Sequence, residues 1–210
     1  MNRIGTDESG KGDYFGPLVA AAAYVELKDE EFLKSIGVRD SKKISDKKIH
    51  EIADEIRKNI KHDIVRINPE KYNKLYSKFG NLNVLLAWAH ARAIENLLKK
   101  VKCQTVISDQ FGDEKYLREK LMEEGRKINL IQRPRAEEDL AVAAASILAR
   151  DSYLKGLKEL GEKHGIKLPK GATHVEETGG RFISENGVEK LNQIAKTHFK
   201  TTEKIKTFIA

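Results

Sequence analysis

Apolar runs and helical spacing alternate along this chain. Arg3 to Asp7 reads as a short strand, and Leu18 to Val25, an unbroken apolar run after the turn-like Gly16-Pro17, as a second; the two would pair as a hairpin across Ser9 to Phe15. A helix is predicted from Asp46 to Ile60, where Ile49, Ile52, Ala53 and Ile56 keep helical spacing, and a third strand from His62 to Ile67. A longer helix should cover Leu82 to Val101, with Leu85, Trp88, Ala89, Leu97 and Leu98 toward the core. Thr105 to Ser108 and Lys127 to Gln132 are further strands. The Ala-rich stretch between Asp139 and Leu160 has strong helix propensity, and its small residues would let the backbone lie close against a sheet. The tail alternates helical runs with breaks at Leu168-Pro169-Lys170-Gly171 and Gly179-Gly180. Three early strands followed by alternating strands and helices predict an α/β fold. It would have a mixed, roughly five-stranded sheet flanked by helices and a C-terminal helical region over about residues 155–210.

Composition narrows the class. The 210 residues are 40% hydrophobic, enough for one sizeable core, and no repeat, low-complexity tract or Gly/Pro/Ser linker divides them, so a single domain over 1–210 is expected. Lys and Arg exceed Asp and Glu by 39 to 32, a formal charge of +7, which favours a polyanionic partner without naming one. A single cysteine, Cys103, excludes an internal disulfide and a cysteine zinc cluster, and is read as a buried structural thiol. No apolar run has the length of a membrane span and no signal peptide is evident, so the protein is expected to be cytoplasmic.

Carboxylates gather at element ends. Asp7-Glu8-Ser9-Gly10-Lys11-Gly12-Asp13 puts two adjacent acids at a strand end. Adjacent strand residues point to opposite faces, so Asp7 and Glu8 would share a metal only if the chain bends there, which the glycines ease. Alone, such a pair is more often an acidic turn. Asp109 ends another strand, where ligand sites of open α/β sheets form, although singly it reads as a cap or turn residue. Glu137-Glu138-Asp139 precedes the Ala-rich helix and alone reads as a capping cluster. Together, four carboxylates from separate elements suit hard divalent ions such as Mg2+, and two such ions about 4 Å apart support hydrolysis at phosphorus. Asp40-Ser41-Lys42-Lys43 and His198-Phe199-Lys200-Thr201-Thr202 could hold phosphates, or form solvated surface. The Gly10-Lys11-Gly12 turn would let backbone amides approach a nucleic acid and read a 2′-hydroxyl.

Five blocks in order carry a family resemblance: DESGKGDYFGPLVAAAAYV at 7–25, DSKKI at 40–44, ISDQF at 107–111, RAEEDLAVAAASILAR at 135–150 and HFKTTEKI at 198–205. The sequence resembles bacterial ribonuclease HIII, a type 2 ribonuclease H related to ribonuclease HII. The resemblance implies a ribonuclease H-like fold and a two-metal site for Mg2+ or Mn2+. It also implies endonucleolytic cleavage of RNA paired with DNA, leaving 5′-phosphate and 3′-hydroxyl ends. It assigns Asp7, Glu8, Asp109 and Glu137 as catalytic metal-binding acids. Because the segment from Glu137 to Leu140 is one residue shorter than the family pattern, Glu138 and Asp139 stay open for the fourth place. Ser9, Gly10, Lys11, Gly12, Ser41, Lys42 and Lys43 are expected to bind nucleic acid. The Lys11 context and the fourth glutamate resemble HIII more than HII; HII-like incision at single embedded ribonucleotides and a non-catalytic binding module are the rival readings. Such enzymes typically carry an N-terminal substrate-binding domain, expected to be absent from these 210 residues since the motif begins at Asp7, whether the chain is a catalytic fragment or its natural protein manages without that domain. A monomer with no obligate protein partner is expected.

Overall fold

The computed structural model describes residues 1–39, 41 and 44–207, so Lys42 and Lys43 lie outside the described residues. Five strands, β1 (Arg3–Ser9), β2 (Leu18–Val25), β3 (His62–Ile67), β4 (Thr105–Asp109) and β5 (Asn129–Arg133), form one sheet in the order β3-β2-β1-β4-β5. The sheet is mixed: β1 pairs antiparallel with β2, from Arg3 opposite Val25 to Ser9 opposite Val19, whereas β1 with β4 and β4 with β5 are parallel. The helices are α1 (Glu30–Ser35), α2 (Asp46–Asn59), α3 (Pro69–Phe79), α4 (Leu82–Leu98), α5 (Glu114–Lys120), α6 (Leu140–His164), α7 (Glu176–Asn186) and α8 (Thr201–Thr207). The mixed five-stranded sheet flanked by helices is the fold class read from the sequence. None of the described helices is long and apolar enough to cross a membrane.

The chain divides into two compact units. The first comprises Met1–Ser9, Val19–Val65 and Asn81–Ser152, and so holds most of the sheet. Two helices cover opposite faces of β1, as the two-residue period of a strand requires. Arg3, Gly5 and Asp7 look one way, toward the start of α6: a Cβ built on Gly5 would come within 2.1 Å of the Ala141 and Val142 backbone, so only glycine admits the helix this closely. Thr6 and Glu8 look the other way, onto His90 of α4. The Ala-rich stretch supplies the small side chains for that approach, and Ala141, Val142, Ala143, Ala144 and Ala145 are all buried.

The second unit comprises Gly10–Leu18, Arg66–Gly80 and Tyr153–Ala210. Tyr14, Phe15, Tyr72, Phe182 and Ile205 are buried in it. Its loop from Gly10 to Pro17 is fixed by backbone bonds: Tyr14 N–H to Gly171 O at 2.8 Å, Gly16 N–H to Ile194 O at 3.0 Å, and Lys196 N–H to Tyr14 O at 2.9 Å. Gly10 has φ +86°, and a Cβ there would meet the Pro17 carbonyl at 2.2 Å, so this first glycine is required by backbone and packing alike.

Candidate active site

Asp7 and Glu8 lie within regular strand, because β1 stays paired with β2 through Ser9. At this point the Asp7 carboxylate meets Ser146 of α6, and the Glu8 carboxylate meets His90 of α4. Asp7 accepts hydrogen bonds from the Ser146 hydroxyl of α6 and, at 2.7 Å, from the Glu8 amide. Burial first, then the negative charge of Glu8, raises its pKa to about 8, with a smaller push from Asp109. The groups acting against that rise are a neutral hydroxyl and an amide. Glu8 Oε2 lies 3.0 Å from His90 Nε2.

Asp109 is the last residue of β4, at the carboxyl end of a parallel strand. Its Oδ1 accepts the Ala136 N–H at 3.1 Å, which ties β4 to the turn that carries Glu137. The three candidates for the fourth acid have different surroundings. Asp139 Oδ1 caps α6 through the Ala141 N–H at 2.8 Å, and its Oδ2 pairs with Arg3 Nε at 2.6 Å. Glu137 and Glu138 sit in the short 3₁₀ turn Ala136–Glu138, Glu137 half-buried and Glu138 exposed. A groove of about 440 Å³ runs past both, lined also by Arg39, Arg135, Leu140 and Ala143.

Ser41 is buried, its hydroxyl 2.8 Å from that of Ser146 and its carbonyl bonded by Arg150. It therefore stands behind Asp7, through Ser146. Ser9 ends β1 and is half-buried. In the second unit Lys11 is half-buried and Gly12 exposed, and a Cβ on Gly12 would meet nothing within 4 Å. The segment 198–202 is more interior than a solvated surface: Thr202 is buried against Tyr14, and the His198 ring packs on Tyr76 at 4.2 Å and Phe199 at 4.5 Å. Two residues around the acids went unread in the sequence, Ser146 and His90. The signal existed as a polar side chain inside an apolar stretch, Ser146 alone in AVAAASILA and His90 beside Arg92 in LAWAHARAI.

Among the described residues, no group of three or more His, Cys, Asp or Glu side chains is drawn together closely enough to hold an ion by itself. The arrangement is a group of acids on separate element ends, with Glu8 and Asp109 both acting on the charge of Asp7. A family profile described as Ribonuclease HII matches residues 4–202, nearly the whole chain. The chain belongs to the ribonuclease HII family. It is 49% identical over 203 residues to ribonuclease HIII of Protochlamydia amoebophila, covering 96% of this chain and 67% of that protein. It is 48% identical over 209 residues to ribonuclease HIII of Chlamydia pneumoniae, covering 97% and 70%. Among solved structures, Bst-RNase HIII in complex with Mn2+ superposes with a TM-score of 0.92 at 34% identity, over 100% of this chain and 70% of that one. The ribonuclease H-like fold inferred from the five sequence blocks is thereby borne out, and the enzyme is an HIII-like type 2 ribonuclease H, a phosphodiester endonuclease.

Proposed function

We propose that this enzyme cleaves the RNA strand of RNA/DNA hybrids in a reaction that depends on Mg2+ or Mn2+, with Asp7, Glu8, Asp109 and Glu137 holding two ions. The observation that carries the reading is Asp7. A carboxyl pushed up to about 8 by burial and by neighbouring acids is costly to ionise, and a divalent cation is what removes that cost. The donor set fits such an ion: all its side chains are carboxylates, the ligand type that hard cations take. Mg2+ also keeps several waters and uses substrate phosphates, so no closed protein cage is needed. The Mn2+ complex of the related Bst enzyme supports the same choice. Glu137 is preferred as the fourth acid because Asp139 is engaged as a cap and in an ion pair, and Glu138 is exposed.

When bound, the ions supply Lewis-acid stabilisation at the scissile phosphate and lower the pKa of water. The chain's own residues hold and orient. Ser146, backed by Ser41, fixes the Asp7 carboxylate, and the Ala136 amide fixes that of Asp109. Gly12 lies exposed with open space where a side chain would stand, which leaves its backbone bare for close approach by a ribose 2′-hydroxyl. Ser9, Gly10 and Lys11 extend that contact, and Lys42 and Lys43 are proposed to hold phosphates. Hydrolysis would leave 5′-phosphate and 3′-hydroxyl ends, and the enzyme would act as a monomer in the cytoplasm, as one catalytic domain.

The test is replacement of Asp7 by Asn with cleavage of a labelled hybrid as readout. Loss of cleavage to background with hybrid binding retained is expected; near-wild-type cleavage would remove Asp7 from the reaction.

A further inference from the structure

His90 is completely buried, yet both its ring nitrogens are engaged. Nδ1 lies 2.8 Å from Thr6 Oγ1, and Nε2 lies 3.0 Å from Glu8 Oε2. The same Thr6 hydroxyl lies 2.8 Å from the Ala21 carbonyl of β2. The Glu8 carboxylate can only accept, so the hydrogen of that pair sits on Nε2. The ring is thus held between Glu8 and the Thr6 side chain of β1, which is itself tied to the β2 backbone. Its face stacks on Phe111, with centroids 4.8 Å apart and planes 23° apart. Phe111 is itself buried and follows Asp109 by two residues.

We propose that His90 is a positioning residue for the acid site. It holds the carboxylate of Glu8 by hydrogen bonding and steadies the loop after Asp109 by stacking on Phe111, so that both acids are oriented before an ion arrives. The proposal rests on Glu8 being a metal ligand, as argued above. Outer partners of metal ligands act this way generally, and their loss typically weakens metal binding by about 10–100-fold. A histidine that merely filled the core would have no such effect beyond stability.

The experiment is direct Mn2+ titration of the full chain without substrate, followed by the electron paramagnetic resonance signal of free Mn2+, alongside thermal unfolding. His90→Phe keeps an aromatic ring and removes both hydrogen bonds. His90→Asn reaches Thr6 but falls short of Glu8, whereas His90→Gln reaches Glu8 with an amide donor. The expected result is weakening of Mn2+ binding by about 10-fold or more in the Phe and Asn variants, with the Gln variant recovering most of it. Wild-type affinity in the Phe and Asn variants, or equal weakening in all three, would overturn the proposal. If the Phe variant does not fold, the Asn and Gln pair decides alone. Glu8→Gln separates the two levels: unchanged Mn2+ binding in that variant sinks the reading of Glu8 as a ligand, whereas its loss alongside intact binding in the His90 variants sinks only the positioning role.

Discussion

Replacing Asp7 by Asn should make the metal-free protein more stable while making it inactive. The carboxyl titrates at about 8 in the fold, against 3.8 for the free side chain. Since the folded value is the higher one, the folded state holds this proton longer, and the stability tied to it is present at low pH. That stability is lost as pH rises from about 4 through 8, with a slope approaching 1.4 kcal/mol per pH unit from this one group. At pH 7 the three-unit gap already passed corresponds to roughly 4 kcal/mol as an upper bound. Asn retains the shape and an acceptor for the Ser146 hydroxyl and the Glu8 amide, and never ionises. Recovery of even ~1 kcal/mol would raise the melting temperature by about 2–4 °C in a chain of this size. The assay is thermal unfolding of both proteins in chelator at pH 5 and pH 8, then at pH 8 with Mn2+. The variant should be the more stable at pH 8, and the gap should narrow at pH 5. With Mn2+ the wild type should overtake it, since saturation at 100-fold over the dissociation constant adds about 2.7 kcal/mol. A variant no more stable than wild type at pH 8, or a gap independent of pH, would refute the argument that burial and acidic neighbours strain Asp7.

Two further outcomes follow from the same reasoning. Asp139→Ala removes the α6 cap and leaves the buried Arg3 with Glu30 as its remaining carboxylate among these pairs, so unfolding free energy should fall by about 2–4 kcal/mol while Mn2+ affinity holds; a loss of affinity without a loss of stability would make Asp139 the fourth ligand. Lys196 is fully buried in the second unit, donating to the Gly16 carbonyl at 2.7 Å, and burial pushes its ammonium down to about 7 against a partial pull upward from Asp13. Here the folded value is the lower one, so its contribution to stability grows as pH rises from about 7 to about 10. Urea midpoints of wild type relative to Lys196→Met should climb over that window, and parallel curves would contradict it.

What the sequence disclosed depended on how much of each element's signal was local. β2, α2 and α4 declare themselves through an unbroken apolar run or helical spacing, β3 through its β-branched Ile64, Val65 and Ile67, and all four are found close to their predicted bounds. α1, α3 and α5 were not predicted. α1 and α5 are short and bury only Leu33 and Leu117, so they carry no periodic stripe, whereas α3 does carry one, in Tyr72, Leu75, Tyr76 and Phe79. The Asn68-Pro69 start and the left-handed Gly80 stop bound that stripe. Carboxylates at the ends of β1 and β4 were legible because acids at strand ends are conspicuous. Their support was not: His90 meets Glu8 across 82 positions, and Arg3 meets Asp139 across 136. Only the fold reveals that Ser41 is an interior partner of Ser146 and that Lys196 is buried.

The most direct test of the central claim is cleavage of two labelled duplexes by the full chain, with Mg2+ or Mn2+ and with chelator. One duplex carries a run of ribonucleotides opposite DNA, and the other a single embedded ribonucleotide. Cutting of the first alone, dependent on the metal and leaving 5′-phosphate ends, is the predicted result. Equal cutting of both would indicate HII-like specificity, and cutting that persists in chelator, or no cutting of the hybrid at any metal concentration, would contradict the account.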